Sequence, residues 1–363
     1  TAAGPFDYWP TGYGFEYFYG FLAGEASQYE PNMVRNTTIV HPNNPGKGRS
    51  YHLSEDLADD AINWLQQHKA FAQDKPFFMY WASGASHGPH HVAKEWADKY
   101  KGKFDDGWDA YRERVFRNAK ARGWIPENAQ LTPRPETLPA WESIPEGERP
   151  FQRRLMEVYA GFTEHVDVQV GRIVEEVDRL GYGENTLIFY IWGDNGASAE
   201  GQAGTISELL AQNGIPTTID QHLKALDELG GISVLGSPKT DNMYHAGWAW
   251  AGSTPYQSTK LIAAHFGGTR NPMAVRWPKR IKADAIPRSQ FHHVNDIVPT
   301  IYEVVGITPP DVVNGFPQDP IQGVSLAYTF DSPEAEGRLK TQYFDIMGSR
   351  GVYHNGWFAG AVG

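Results

Sequence analysis

Apolar positions along the chain fall into two patterns, a recurrence every three or four residues and short unbroken runs. The clearest recurrence links Leu155, Val158, Tyr159, Phe162, Val166, Val170, Ile173, Val174, Val177 and Leu180, with Gly181 directly after. That spacing lines one face of a helix, and a glycine just past the last periodic residue is a common stop. A second helix is predicted from Ser54, where Ser-Glu-Asp offers a cap and early acids, and Leu57, Ala61 and Trp64 share a face. Shorter helices are expected over 221–229 and 296–305. A third strand candidate, 273–277, contains Arg276, and the unbroken runs lie at 77–81 and 186–191. Their strand length and apolar character on both sides predict strands of a covered sheet. Helices alternating with such runs make an α/β fold.

Two stretches lack a clean period. Residues 1–50, rich in Gly, Tyr and Phe, read as loop with short strands or turns. Residues 200–250 read as an insertion over one end of the sheet, and both stretches are expected to shape a pocket.

Composition narrows the function classes. Of the 363 residues, 40% are hydrophobic and 13% aromatic, ample for a packed core, so global disorder is excluded. The formal net charge is −11 and no basic run exceeds pairs such as Lys279-Arg280, which argues against nucleic acid as a partner. The absence of cysteine excludes disulfides, thiolate metal sites and a cysteine nucleophile within these residues. The longest apolar stretch, near 77–82, is far too short for a membrane span. Any targeting segment is expected to lie outside the sequence, which starts at Thr1.

Three polar clusters sit beside predicted strands, where open α/β sheets bind ligands. Gly193-Asp194-Asn195-Gly196 follows the second strand. Asp194 and Asn195 offer hard oxygens suited to Ca²⁺ or Mg²⁺, although Asp-Asn-Gly is also ordinary turn chemistry. Ser86-His87-Gly88-Pro89-His90-His91 follows the first strand, with histidines able to donate a proton, hold an anionic oxygen or simply line a surface loop. Zinc is not expected there, because no nearby carboxylate or cysteine completes a recognisable ligand spacing. Thr259-Lys260 precedes the turn Gly267-Gly268-Thr269-Arg270 and could meet an anionic group. His292-His293 precede Asp296, which reads as a helix cap.

The order of these clusters resembles that of the sulfatases (arylsulfatases) of the alkaline-phosphatase superfamily. Gly14-Phe15-Glu16-Tyr17-Phe18-Tyr19-Gly20-Phe21 resembles the family's Gly-Phe-Asp-x-Phe-x-Gly stretch, and Ala85-Ser86-His87-Gly88-Pro89 its Ala-Pro-His-x-Pro loop. Residues 186–196 resemble the strand ending in Asp-Asn-Gly, 267–278 the Gly-Gly-x-Arg-x-Pro strand, and Asp296-Ile297-Val298-Pro299-Thr300 the Asp-x-x-Pro-Thr helix. Gly348-Ser349-Arg350-Gly351 resembles the approach to the small C-terminal subdomain.

The resemblance implies an α/β, alkaline-phosphatase-like mixed sheet flanked by helices on both faces, incomplete here at its N- and C-terminal ends. Residues 1–340 would form most of the large domain and 341–363 the start of the small subdomain. It further implies that Asp194 and Asn195 ligate a divalent cation, usually Ca²⁺ with Mg²⁺ as the other choice. His87 would contact the sulfate ester and help protonate the leaving oxygen, and Lys260 would neutralise a sulfate oxygen. The family nucleophile, a formylglycine made in a Cys/Ser-x-Pro-x-Arg motif, is expected upstream of Thr1, and this chain by itself is expected to be inactive. The expected partner is a small-molecule sulfate ester, and the compartment is left open between a bacterial cytoplasm and a periplasm. Two alternatives stay open: a phosphonate or phosphodiester hydrolase of the same superfamily, and a non-catalytic pseudo-sulfatase that binds a metal or anion.

Overall fold

A computed structural model describes residues 3–42, 50–193, 195–284 and 287–363. The chain divides into two compact units. The first comprises Thr1–Glu113, Arg134–Gly183 and Ser198–Gly252, and the second Arg114–Pro133, Glu184–Ala197 and Ser253–Gly363.

In the first unit the periodic stripe folds as the long helix Arg149–Arg179, starting six residues before the first periodic apolar position because Pro150 suits the first turn. It stops as its sequence predicts. Gly181 N–H donates to Asp178 O and Tyr182 N–H to Val177 O, the paired bonds of a Schellman ending. Ile173 and Val177 of this helix pack on Ala58, Ala61 and Leu65 of the helix Leu53–Phe71. Burial of these side chains, at about 25 cal/mol per Å² of apolar surface, holds the two helices together. The second helix is capped by His52 rather than Ser54: the imidazole accepts from Ser54 N–H. Ser54 is buried at the second position of the helix, and its hydroxyl donates to Gln28 Oε1 at 3.0 Å. The early acids behave differently from a solvated first turn, since buried Asp56 accepts from Tyr19 Oη at 2.7 Å and Tyr51 Oη at 2.9 Å.

The run at 77–81 belongs to no strand pairing among the described residues. Phe77, Met79 and Trp81 pack on the helix pair, whereas Phe78 and Tyr80 are 63% and 74% exposed. The expected doubly covered strand is therefore covered on one side only. A small antiparallel sheet, Tyr19–Gly20 with Met33–Arg35 and Thr38–Val40, gives the first stretch its short strands. In the 200–250 segment the helix Ile219–Leu229 carries a full capping box, Thr218 with Gln221.

An aromatic core fills the same unit. The Trp108 ring stacks on His245 at 4.4 Å and meets Trp141 and Trp248 edge-on at 4.9 and 5.6 Å. Burial holds the His245 imidazole neutral, lowering its pKa from 6.5 to about 4. Below pH 6.5 the unfolded chain therefore takes up a proton that the folded chain refuses, so this residue removes stability as pH falls toward 4. His245→Asn, which keeps an acceptor for Gly247 N–H, is expected to make the fall of the urea midpoint between pH 6.5 and 4 shallower. An unchanged slope would show that the imidazole is not held neutral.

In the second unit Ile188–Ile191 pairs antiparallel with Met273–Arg276, in the register Ile188 to Arg276 and Ile191 to Met273. Leu187, Phe189, Val275 and Trp277 pack on Leu326, Ala327 and Phe330, while Ile191 and Met273 remain partly exposed. The helix Ile297–Val305 follows a 3-10 turn, Val294–Asp296. Asp296 does not cap that helix through its side chain. Fully buried, its carboxylate accepts from His292 Nδ1, His293 N–H and Val324 N–H at 2.9, 2.9 and 2.7 Å. His292 and His293 are thereby tied into the fold. Thr341–Ile346, Ser349–His354 and Trp357–Ala361 form an antiparallel three-stranded sheet with the middle segment central. No helix among the described residues is long and apolar enough to cross a membrane.

Candidate active site

The second unit brings together two of the sequence-predicted clusters. Trp192 N–H bonds Pro272 O at 3.0 Å, so the chain leaves its strand beside its partner and enters the Asn195 turn. Gly196 N–H donates to Asn271 Oδ1 at 3.1 Å, and Lys260 N–H to Ala197 O at 2.9 Å. Gly196 has φ +85°, and a Cβ there would lie 2.0 Å from Gly267 O. Gly267 is as tightly placed, with its own Cβ position 2.2 Å from the carbonyls of Gln257 and Ser258. Only glycine permits this approach. Lys260 is half-buried, between Ser258 and Leu261, which hold φ of +63° and +75°. Two side chains forced into the left-handed region cost about 1–3 kcal/mol each and commonly accompany functional positioning. Asp194 lies outside the described residues. Asn195 supplies a neutral amide oxygen of the kind hard divalent cations accept.

His87 stands in the first unit. Its Nδ1 is 3.1 Å from Gly88 O and 3.3 Å from Glu25 Oε2, and its Nε2 is 3.8 Å from Glu200 Oε2. It is one third exposed, on the wall of an open cleft of about 740 Å³ formed by residues 23–25, 200, 202, 211 and 212 as well. The first stretch and the 200–250 insertion thus do line a pocket. The neighbouring histidines are not surface groups. His90 is 3% exposed, and burial followed by the neighbouring His87 and His91 lowers its pKa to about 3. His91 is 1% exposed, accepts from Gln28 N–H at Nδ1 and donates from Nε2 to Thr240 O at 2.7 Å. Both hold the loop from behind while His87 faces the cleft.

Glu25, Glu200 and Glu208 escaped the sequence reading. They lie 62, 113 and 121 positions from His87, carry no motif, and meet it only through the fold. Burial, followed by the adjoining Glu25, pushes the Glu208 carboxyl up to about 8.

The sulfatase family model matches residues 3–307. The chain belongs to the sulfatase family. An uncharacterized sulfatase of Schizosaccharomyces pombe, PB10D8.02c, is 28% identical over 319 residues, 84% of this chain and 54% of the relative. An arylsulfatase of Klebsiella aerogenes is 27% identical over 327 residues, 88% of this chain and 66% of the relative. This sulfatase chain therefore spans between about half and two thirds of the length of these curated relatives. The crystal structure of Ps i-CgsB superposes with a TM-score of 0.57 at 18% identity, over 99% of this chain and 60% of that one. Its complex with k-i-k-neocarrahexaose gives 0.54 at 17% identity, with the same coverage. These likenesses concern architecture. They bear out the α/β, alkaline-phosphatase-like fold expected of a sulfatase.

Proposed function

We propose that the protein carrying this chain hydrolyses sulfate monoesters of small phenols or alcohols. The nucleophile is a formylglycine borne outside this sequence, and a divalent cation, Ca²⁺ or alternatively Mg²⁺, is held in part by Asp194 and Asn195. Membership of the sulfatase family over residues 3–307 carries this reading, and the hydrogen bond tying the Lys260 turn to the Asn195 loop supports it. As the ester S–O bond breaks, negative charge grows on the leaving oxygen, and preorganised cationic donors stabilise it. His87 donates the proton to that oxygen, a role for the doubly protonated imidazole with Nδ1 turned to Gly88 O and Glu25. The Lys260 ammonium neutralises a sulfate oxygen. The cation, when bound, adds electrostatic stabilisation of the anionic ester.

Matched esters test this on the full-length protein. An aryl sulfate is expected to exceed the corresponding phosphate diester and phosphonate in kcat/KM by at least about tenfold, or about 1.4 kcal/mol. The reverse order would identify a phosphonate or phosphodiester hydrolase. No turnover of any of them by a protein bearing the nucleophile would leave a binding module.

A further inference from the structure

We infer that Glu25, His87 and Glu208 form a binding site for a divalent transition-metal ion of the Zn²⁺ type, distinct in residues and chemistry from the Ca²⁺ pair at Asp194 and Asn195. One ligand atom from each of the three lies within 4.8 Å of the other two, and His87 Nδ1 is 3.3 Å from Glu25 Oε2, so small side-chain rotations bring all three to about 2.0–2.2 Å from one ion. An imidazole nitrogen with two carboxylate oxygens suits zinc and its neighbours in the first transition row. Ca²⁺ takes an all-oxygen shell.

Two of the three ligands, Glu208 and His87, are set by their surroundings rather than left loose. Glu208 is 5% exposed, its backbone N–H bonds Asp241 O at 2.8 Å, and its Oε1 accepts from Gln212 Nε2 at 2.9 Å. A partner of that kind orients a ligating carboxylate. Gly88 makes room for it, since a Cβ there would fall 2.5 Å from Glu208 Oε1. His87 N–H is fixed to Gly84 O at 3.1 Å, and the imidazole already stands 3.3 Å from Glu25. The cleft gives the ion an entrance and leaves a coordination position for water, with the Glu200 carboxylate 3.8 Å from His87 Nε2. Three protein ligands and an open position is the arrangement of an exchangeable zinc site rather than a closed structural one.

The consequence for turnover rests on the functional proposal: an ion on His87 occupies the imidazole that donates the proton, so zinc and catalysis exclude each other. Binding itself needs no substrate and no nucleophile, so its test is independent of that proposal. Chelator-stripped protein is titrated with ZnCl₂ by calorimetry, with and without a hundredfold excess of CaCl₂. One Zn²⁺ per chain is expected, undisturbed by calcium. Glu25→Gln and Glu208→Gln are each expected to weaken it by tenfold or more, since losing even an outer-shell partner costs about 10–100-fold. Glu25→His keeps three ligands and is expected to retain binding, which separates a lost ligand from a lost fold. Absence of stoichiometric binding, or binding indifferent to both glutamine variants, would overturn the inference.

Discussion

Replacing His87 with alanine in the full-length protein is expected to lower kcat on an alkyl sulfate by about 10²–10⁴-fold, the usual worth of a general acid. The loss should shrink steadily as the leaving group becomes a better anion, and be smallest for a nitrophenyl sulfate. A phenolate that leaves readily needs little proton transfer in the transition state, whereas an alkoxide needs nearly all of it. Folding should change little, because His87 is one third exposed and its loop is held by His90 and His91 behind it. A loss independent of the leaving group would reassign His87 to binding the sulfate oxygens. Steady-state kinetics on a series of four or five esters decides between them.

The largest effect on stability is expected at Trp108. Its side chain is fully buried, its indole N–H donates to Pro139 O at 3.1 Å, and it touches three other rings. Trp108→Ala removes those contacts and leaves a cavity, a loss of about 3–5 kcal/mol by chemical denaturation. Trp108→Phe should recover part of it through the apolar contacts but not the hydrogen bond. Trp124, 54% exposed, provides the contrast: its alanine variant should fall within about 0.5 kcal/mol of the parent. Equal losses at the two positions would mean that the Trp108 ring cluster does not organise this unit.

Legibility in the sequence followed the range of the interactions. The helix Arg149–Arg179 and its Schellman ending rest on contacts within a few residues, and the periodicity showed both. The glycine-flanked Asn195 turn and the Gly267-Gly268 turn were visible as local chemistry, and their hydrogen-bonded neighbourhood arises from the pairing of Ile188–Ile191 with Met273–Arg276. Residues 77–81 misled because apolar content alone does not say how many faces are covered. Ser54 misled because a hydroxyl at a helix start can serve a buried glutamine as readily as a backbone N–H. The zinc reading of the histidine loop failed on local spacing, yet the carboxylates beside His87 come from far along the chain, at Glu25, Glu200 and Glu208. Nothing in a linear window encodes such a meeting.

The contact between the two glycine turns bears on how this family member can change. What stands 2.0 Å from a Cβ at Gly196 is a backbone carbonyl, that of Gly267, and Gly267 is hemmed in by two more carbonyls. An ordinary packing clash can be relieved by trimming the side chain opposite. Here there is none to trim, so no single second substitution restores what the first takes away. Exploration of new pockets by mutation is thereby channelled into exposed cleft positions such as Ala23, Gln202 and Gln212, where variation is cheap. The backbone platform beside Lys260 stays out of reach.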